Sequence, residues 1–150
     1  MKNTTRELKA RERMAPGVIT ALGFLGDDER GIADIIADDE ESFARLGLDW
    51  SQVAGELARL RDAGYKGLGE PITVDGAWIL VSGEARGMLP CPFSDGLWHK
   101  NGIAVRRIAT GASLIYSDLS LHLLEAHHFC QGQASPFRLE PSMLARVLRG

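Results

Sequence analysis

The stretch Ile72-Thr-Val-Asp-Gly-Ala-Trp-Ile-Leu-Val81 decides the architecture that we expect of this chain. Two runs of strand-forming residues flank Asp75-Gly76, and an Asp-Gly pair tolerates the positive φ angles of a type I′ turn. The sequence therefore predicts a β-hairpin. Its second strand is apolar at every position from Trp78 to Val81, which is typical of a central strand with both faces covered.

A second hairpin is predicted farther along the chain. Gly102-Ile-Ala-Val-Arg-Arg-Ile108 and Ala112-Ser-Leu-Ile-Tyr116 are strand-like, and Thr110-Gly111 separates them as a turn. Residues 65–117 are therefore expected to form a mainly antiparallel sheet of about four strands. Between the hairpins lies Leu89-Pro-Cys-Pro-Phe-Ser-Asp-Gly96, which cannot be an interior strand because its prolines lack the backbone N–H.

Helical spacing of apolar residues dominates the chain before the sheet. Capping residues and this spacing predict three helices over roughly residues 28–63, with Asp38-Asp-Glu-Glu41 starting the second. Eight carboxylates lie between Asp27 and Glu41. Because carboxylates stabilise helix N-termini, we interpret this cluster as capping and surface groups rather than as metal ligands.

Two further helices are predicted after the sheet. One is capped by Ser117 or Asp118 and ends near His128, and the other begins at Pro141. The order of elements predicts an α+β fold. It would consist of an N-terminal three-helix cluster, a mainly antiparallel sheet of about four strands in two hairpins, and two C-terminal helices.

The sequence suggests one folded domain preceded by an arm. Residues 1–17 are predicted to be a flexible basic arm, because their apolar side chains are too few to bury a helix face. Residues 18–150 are predicted to be a single α+β domain. Within it, residues 18–66 would form a helical subdomain, and residues 67–150 would contain the sheet and the C-terminal helices.

Metal-binding residue types concentrate in the run Asp118-Leu-Ser-Leu-His-Leu-Leu-Glu-Ala-His-His-Phe-Cys130. Three of the four histidines and one of the two cysteines fall within its last nine residues. His122 and His127 are separated by four residues, which lies within the spacing common in zinc half-sites. On a regular helix their side chains point about 140° apart, so shared coordination predicts a tightened or distorted last turn.

A structural zinc site is the first functional hypothesis. The predicted ligands are Cys91, His122 and His127, with His99 or Cys130 completing the shell. The fourth bond is also open to Asp95, to His128 or to water. A cysteine loop, a hairpin and a histidine-bearing helix follow one another in the order found in zinc-finger modules. This chain lacks the Cys-x-x-Cys pair of those modules.

The same side chains have a plain structural interpretation. Cys91 and Cys130 could be small buried hydrophobes, and the histidines could be half-exposed residues of an amphipathic helix. The missing second cysteine favours this interpretation over a closed metal site. Both interpretations stay open at this stage, and zinc is the cofactor to test.

A thiol-dependent enzyme is a second functional hypothesis. Cys91 would be the nucleophile, and it needs a histidine within hydrogen-bond reach and a third group that orients this histidine. The candidate bases are His99, His122 and His127, and the candidate orienting groups are Asp118 and Glu125. Pro92 follows the cysteine and removes the next backbone N–H as an oxyanion donor. The sequence therefore leans against an enzyme.

Nucleic-acid binding is a third hypothesis. Residues 43–64 resemble the turn and second helix of a winged helix-turn-helix, and the Asp75-Gly76 hairpin lies where a wing would. The resemblance implies base or phosphate contacts from Gln52, Arg59 and Arg61. Each of these is opposed by a nearby carboxylate: Asp49, Glu56 and Asp62. A net charge of −3 also argues against a nucleic-acid binder.

Composition limits the remaining classes. Apolar residues at 45% and charged residues at 25% are ordinary for a globular protein. No apolar run approaches the roughly 20 residues that a membrane span needs. Two cysteines and an N-terminus without an export signal indicate free thiols in the cytoplasm. The expected partner is another protein or a small ligand. A membrane is not expected as a partner, and a nucleic acid is expected only under the third hypothesis.

Overall fold

Five helices and two antiparallel sheets are present in the computed structural model, which describes residues 2–150. The helices are α1 (Thr5–Arg13), α2 (Ile32–Leu46), α3 (Trp50–Tyr65), α4 (Asp118–His127) and α5 (Pro141–Arg149). The strands are β1 (Ile72–Val74), β2 (Trp78–Gly83), β3 (Met88–Pro90), β4 (Leu97–His99), β5 (Gly102–Arg107) and β6 (Ser113–Ser117). This order confirms the predicted α+β class.

The main sheet has the strand order β1-β2-β5-β6, and all of its neighbours are antiparallel. Asp75 and Gly76 have φ angles of 55° and 65°, the left-handed values that a type I′ turn requires. Strand β2 is central, as predicted, but only one of its faces is fully covered. Val81 and Ile115 on the other face are 37% and 54% exposed, because an antiparallel sheet can leave one face in water.

Buried side chains divide into two clusters. The sheet-side core lies between the covered face of the main sheet and helices α3, α4 and α5; its largest members include Phe43, Leu57, Leu60, Leu80, Ile103, Tyr116 and Leu144. The loop-side core joins α1, α2, α4 and the loop between β3 and β4. It contains Ala10, Met14, Phe24, Ile32, Ile35, Cys91, Phe93, Leu119, Leu123 and Phe129.

Within the segment that is predicted to be a flexible arm, Thr5–Arg13 form the packed helix α1. Thr4 and Glu7 form a capping box at the start of α1. Ala10 and Met14 are 0% exposed, because their spacing of four residues places both on one helix face. Arg11 adds a hydrogen bond from its guanidinium to the Arg30 carbonyl oxygen. Two buried side chains and a few charged hydrogen bonds therefore anchor α1 without a wide apolar face.

Helix α2 runs without a break through the acidic cluster, so residues 28–63 hold two helices rather than three. The predicted restart at Asp38 is wrong because Asp38 and Asp39 pair with arginine side chains while the helix continues through them. Asp39 is buried and receives two hydrogen bonds from Arg138, of 2.8 and 3.0 Å, and Asp38 pairs with Arg30 at 2.6 Å. With α1 included, the N-terminal part of the chain still contains three helices.

Candidate metal centre

The loop between β3 and β4 presents a sulfur and a carboxylate from one tight turn. The Cys91 N–H donates to the Gly96 carbonyl oxygen at 3.0 Å, and the Ser94 N–H donates to the Cys91 carbonyl oxygen at 2.9 Å. Ser94 has a φ angle of 61°, which reverses the chain just before Asp95. The turn therefore holds Cys91 and Asp95 close together at one end of the small β3–β4 sheet.

Helix α4 supplies two imidazoles to the same place. Ser117 caps its N-terminus by accepting the Ser120 N–H, and the helix stays α-helical through His127. The Nε2 atom of His122 lies 3.1 and 3.2 Å from the two Asp95 carboxylate oxygens, and Nε2 of His127 lies 2.7 Å from one of them. Because one carboxylate reaches both rings, they converge without the predicted distortion of the last turn.

Four side chains thus bring one donor atom each into a small volume. The Cys91 Sγ lies 3.8 Å from Nε2 of His127, and the donors of Cys91, Asp95, His122 and His127 all lie within 4.8 Å of one another. A tetrahedral zinc ion places nitrogen, oxygen and sulfur donors about 3.3–3.6 Å apart. The group could therefore hold a metal ion.

Aromatic stacking orients both imidazoles. The Phe93 ring stacks on His127 with 4.1 Å between ring centroids, and the Trp98 ring stacks on His122 at 3.5 Å. Both histidine side chains are largely buried, with exposed fractions of 9% for His127 and 15% for His122. Stacked and buried rings lose little freedom when they bind an ion, so this packing preorganises the nitrogen donors.

The protonation states suit an incoming cation. Burial, together with the hydrogen bond to Asp95, raises the pKa of the Cys91 thiol to about 12. Burial opposes ionisation of Asp95, but hydrogen bonds from Cys91, His122 and His127 outweigh it and lower the pKa of this carboxyl. Burial lowers the pKa of His127 despite the nearby carboxylate. A metal ion could replace the thiol proton and find an ionised carboxylate and a neutral imidazole already in place.

Two of the predicted candidates for the fourth ligand lie outside this group. His99 ends strand β4 on the exposed face of the small sheet, opposite Met88. Cys130 is 1% exposed and belongs to the sheet-side core, where burial raises the pKa of its thiol well above the usual value. We correct the expectation that either one completes the shell, because their side chains belong to other surroundings.

Asp95 provides the fourth donor in place of His99 and Cys130. It is among the side chains that the sequence leaves open for this bond. A stronger signal was present in the spacing, since Cys91 and Asp95 lie in one short turn that ends at Gly96. Gly96 has a φ angle of 149°, and a Cβ at this position would lie 2.8 Å from the Trp98 ring. The glycine therefore allows the close return of the loop that brings Asp95 over the helix.

His128 has a separate role at the end of α4. It adopts a left-handed conformation with φ of 51° and so ends the helix. Its ring stacks on Trp50 with 4.0 Å between centroids, and its Nδ1 lies 2.7 Å from a Glu40 carboxylate oxygen. These contacts account for His128 as a link between α4 and the N-terminal helices, and not as a metal ligand.

The geometry argues against a thiol nucleophile. Cys91 is 1% exposed, and its raised pKa keeps the thiol protonated near neutral pH, whereas nucleophilic cysteines need an accessible thiolate. The proposed orienting group Asp118 faces the Tyr65 hydroxyl at 3.0 Å and Arg61 at 3.6 Å instead of a histidine. Asp118 therefore does not orient a histidine as a catalytic base.

The residues suggested for nucleic-acid contact are engaged within the protein. Arg59 pairs with Glu56 at 2.9 Å and with Asp75 at 3.1 Å. Arg61 pairs with Asp62 at 3.1 Å and also approaches Asp118. Gln52 is exposed in the first turn of α3, where its backbone N–H donates to Asp49. Guanidinium groups that already face carboxylates are poor phosphate ligands, which weakens the winged-helix hypothesis.

Comparisons with known proteins add no relative. No protein-family model, curated protein or solved structure that we compared with the chain matches it. Among the helices within residues 2–150, none combines the length and the apolar character that crossing a bilayer demands. The chemistry of Cys91, Asp95, His122 and His127 therefore carries the functional conclusion.

Proposed function

We propose that this chain is a small zinc-binding protein in which one ion ties the β3–β4 loop to helix α4. The four ligands would be Cys91, Asp95, His122 and His127. The observation that carries the proposal is the approach of their four donor atoms to within 4.8 Å of one another. The donors come from two segments whose nearest ligands, Asp95 and His122, are 27 positions apart in sequence, so the ion would act as a cross-link.

The donor set favours zinc over other common ions. One sulfur and two imidazole nitrogens suit a borderline-soft ion, whereas magnesium and calcium prefer shells made of oxygen. Asp95 adds one oxygen, which zinc accepts alongside nitrogen and sulfur. Four protein donors would fill a tetrahedral shell, and this is the pattern of structural rather than catalytic zinc sites.

The surroundings support a structural role. Cys91 belongs to the loop-side core, and Phe93 and Trp98 stack on the two histidines. An ion placed here would draw together three polar side chains and a thiol that otherwise hold each other by hydrogen bonds. In this proposal the zinc stabilises a binding or regulatory domain of the cytoplasm, and its partner is another protein or a small ligand.

Metal analysis of protein made without a histidine tag tests the proposal. We expect about one zinc per chain by mass spectrometry of the elements, and a His122→Ala variant should lose most of it. The matched control is His99→Ala, which removes a histidine of the β3–β4 hairpin that lies outside the four-donor group. A parent protein that neither contains zinc nor takes it up would contradict the proposal, as would equal losses in the two variants.

Cobalt substitution adds a test of the ligands themselves. Tetrahedral cobalt with a thiolate ligand absorbs visible light and shows a sulfur-to-metal charge-transfer band. We expect the band in the parent protein and its loss in Cys91→Ser, since this change removes the sulfur of the group. An Asp95→Asn variant should keep the band with lower affinity. A charge-transfer band that survives Cys91→Ser would assign the site to other residues.

A further inference from the structure

A second cavity opens between three loops and the start of α4. It has a volume of about 260 Å³ and shares no lining residue with the four-donor group. Its apolar wall comes from Leu22, Phe24, Leu89, Leu119, Pro136 and Phe137. Leu22 is 67% exposed and Phe137 is 39% exposed. Large apolar side chains at the mouth of an apolar cavity gain free energy when a ligand covers them.

The uncharged polar side chains of the wall already have partners in the protein. The Thr20 hydroxyl oxygen accepts the Gly23 N–H at 2.9 Å. The Gln131 side-chain oxygen accepts the Ser135 hydroxyl at 2.6 Å. Ser117 is occupied by the N-terminal cap of α4. Because these side-chain oxygens have partners without a ligand and most of the wall is apolar, a ligand body bound there should be apolar too.

One cation at the cavity has no ion-pair partner among residues 2–150. Lys100 lines it and is exposed, and within residues 2–150 no ion pair involves its ammonium group. Arg30, Arg59 and Arg138, by contrast, each face a carboxylate. Ser117 lies in the same wall, so the positive N-terminal end of the ten-residue helix α4 adds to the field.

The carboxylate at this helix end has its partners outside the cavity. Asp118, the first residue of α4, is not part of the cavity wall. Its side chain accepts the Tyr65 hydroxyl at 3.0 Å and lies 3.6 Å from Arg61. The cavity therefore combines an apolar interior with the exposed ammonium group of Lys100 at its edge.

We propose that this cavity binds a small amphipathic anion, an aliphatic or aromatic carboxylate. The apolar body of the ligand fills the cavity between Leu22, Leu119 and Phe137, and its carboxylate pairs with Lys100. The volume of about 260 Å³ lies just below the range usual for drug-sized ligands, which limits the ligand to a small one. The inference is independent of the zinc proposal, since the two sites share no side chain.

Calorimetric titration with octanoate tests the ligand class. Octanoate should bind with saturation, acetate should not bind because it lacks the apolar body, and 1-octanol should bind more weakly because it lacks the charge. Backbone amide shifts in NMR spectra should move most around Lys100, Leu119 and Phe137. Absence of octanoate binding would overturn the proposal, and so would shifts that cluster elsewhere.

A matched pair of variants tests the role of the charge. Lys100→Met keeps most of the side-chain length and removes the ammonium, and Lys66→Met does the same at an exposed lysine outside the cavity. We expect Lys100→Met to weaken octanoate binding about fivefold, as for an exposed ion pair, and to leave octanol binding unchanged. Lys66→Met should match the parent. Equal octanoate affinities in all three proteins would contradict a role for Lys100.

The cavity wall and the metal content complete the test. Phe137→Ala should weaken octanoate and octanol alike, because it removes apolar wall and no charge. Metal content is measured on each titrated sample. Octanoate binding by a parent protein that neither contains zinc nor takes it up would overturn the zinc proposal alone, whereas a zinc-loaded protein that does not bind octanoate would overturn this inference alone.

Discussion

The two cores of this protein are stabilised by different means. The sheet-side core gathers aliphatic and aromatic side chains over the main sheet, and its strands and helices are tied by regular backbone pairing. The loop-side core is smaller and joins short segments. At its edge lie a thiol, a carboxylate and two imidazoles. Apolar burial can hold the first region alone, whereas the second depends more on specific polar contacts and, in our proposal, on zinc.

The largest expected effect comes from the proposed ion. At free zinc about 1,000-fold above its dissociation constant, binding should add about 4 kcal/mol to the free energy of unfolding. Chelation or His122→Ala should remove this contribution, with hydrogen exchange rising first in the β3–β4 loop and α4. His99→Ala should stay within about 0.5 kcal/mol of the parent, as a surface change does. A uniform rise of hydrogen exchange across the main sheet would contradict the expectation that zinc stabilises mainly the loop-side core.

Leu57→Ala should damage the other region. Leu57 is 0% exposed in the sheet-side core, so its truncation leaves a cavity and costs about 3 kcal/mol of unfolding free energy. Urea titration would measure the loss. Zinc content at low urea should not change, because none of the four proposed ligands belongs to the cluster that contains Leu57. Loss of zinc from the folded variant would mean that the two cores are one cooperative unit.

Acid should weaken the loop-side region through Asp28. Hydrogen bonds from the Arg30 side chain, opposed by burial and aided by the Gln133 N–H, lower the pKa of Asp28 from 3.8 to about 2. A depressed pKa in the folded state stabilises the protein above pH 4, and this stabilisation is lost as the pH falls towards 2. The shift corresponds to about 2 kcal/mol.

Asp28→Asn separates this contribution from other acid effects. The difference in unfolding free energy between the parent and the variant should be about 2 kcal/mol at pH 7 and should shrink towards zero near pH 2. Urea titrations at matched pH values measure it. A difference that stays constant with pH would show that the Asp28 charge is not responsible.

The smallest expected effect concerns the contact between α1 and the cysteine loop. The Arg13 guanidinium donates to the Pro92 carbonyl oxygen at 2.5 Å, beside the proposed ligand Cys91. Arg13→Ala should cost about 1 kcal/mol of stability and should lower zinc affinity, because a looser loop must be ordered on binding. Competition with a zinc-chelating dye measures the affinity.

Arg45→Ala is the control for Arg13→Ala. Arg45 is exposed and reaches Glu41 only at 4.0 Å, so its removal should change stability by less than about 0.5 kcal/mol. Equal zinc affinities of Arg13→Ala and Arg45→Ala would show that the contact of Arg13 with the cysteine loop does not affect zinc binding.

Local signals in the sequence were enough for much of the fold. Asp75-Gly76 turns the chain as predicted because the two residues themselves favour positive φ angles. The packing of α1 and the unbroken course of α2 through Asp38 were missed for one reason. Both depended on partners remote in sequence, as the Asp39–Arg138 pair shows across 99 positions. Such partners cannot be read from capping or periodicity.

The candidate site, like the fold, could be predicted only in part from the sequence. Sequence by itself determined that sulfur and imidazole donors would be concentrated in residues 91–130 and that α4 would carry two of the imidazoles. Only the tertiary structure decided that Asp95 joins them while His99 and Cys130 face other surroundings. The physical reason is that ligand choice depends on side-chain direction after the loop packs on the helix, and packing between distant segments sets that direction.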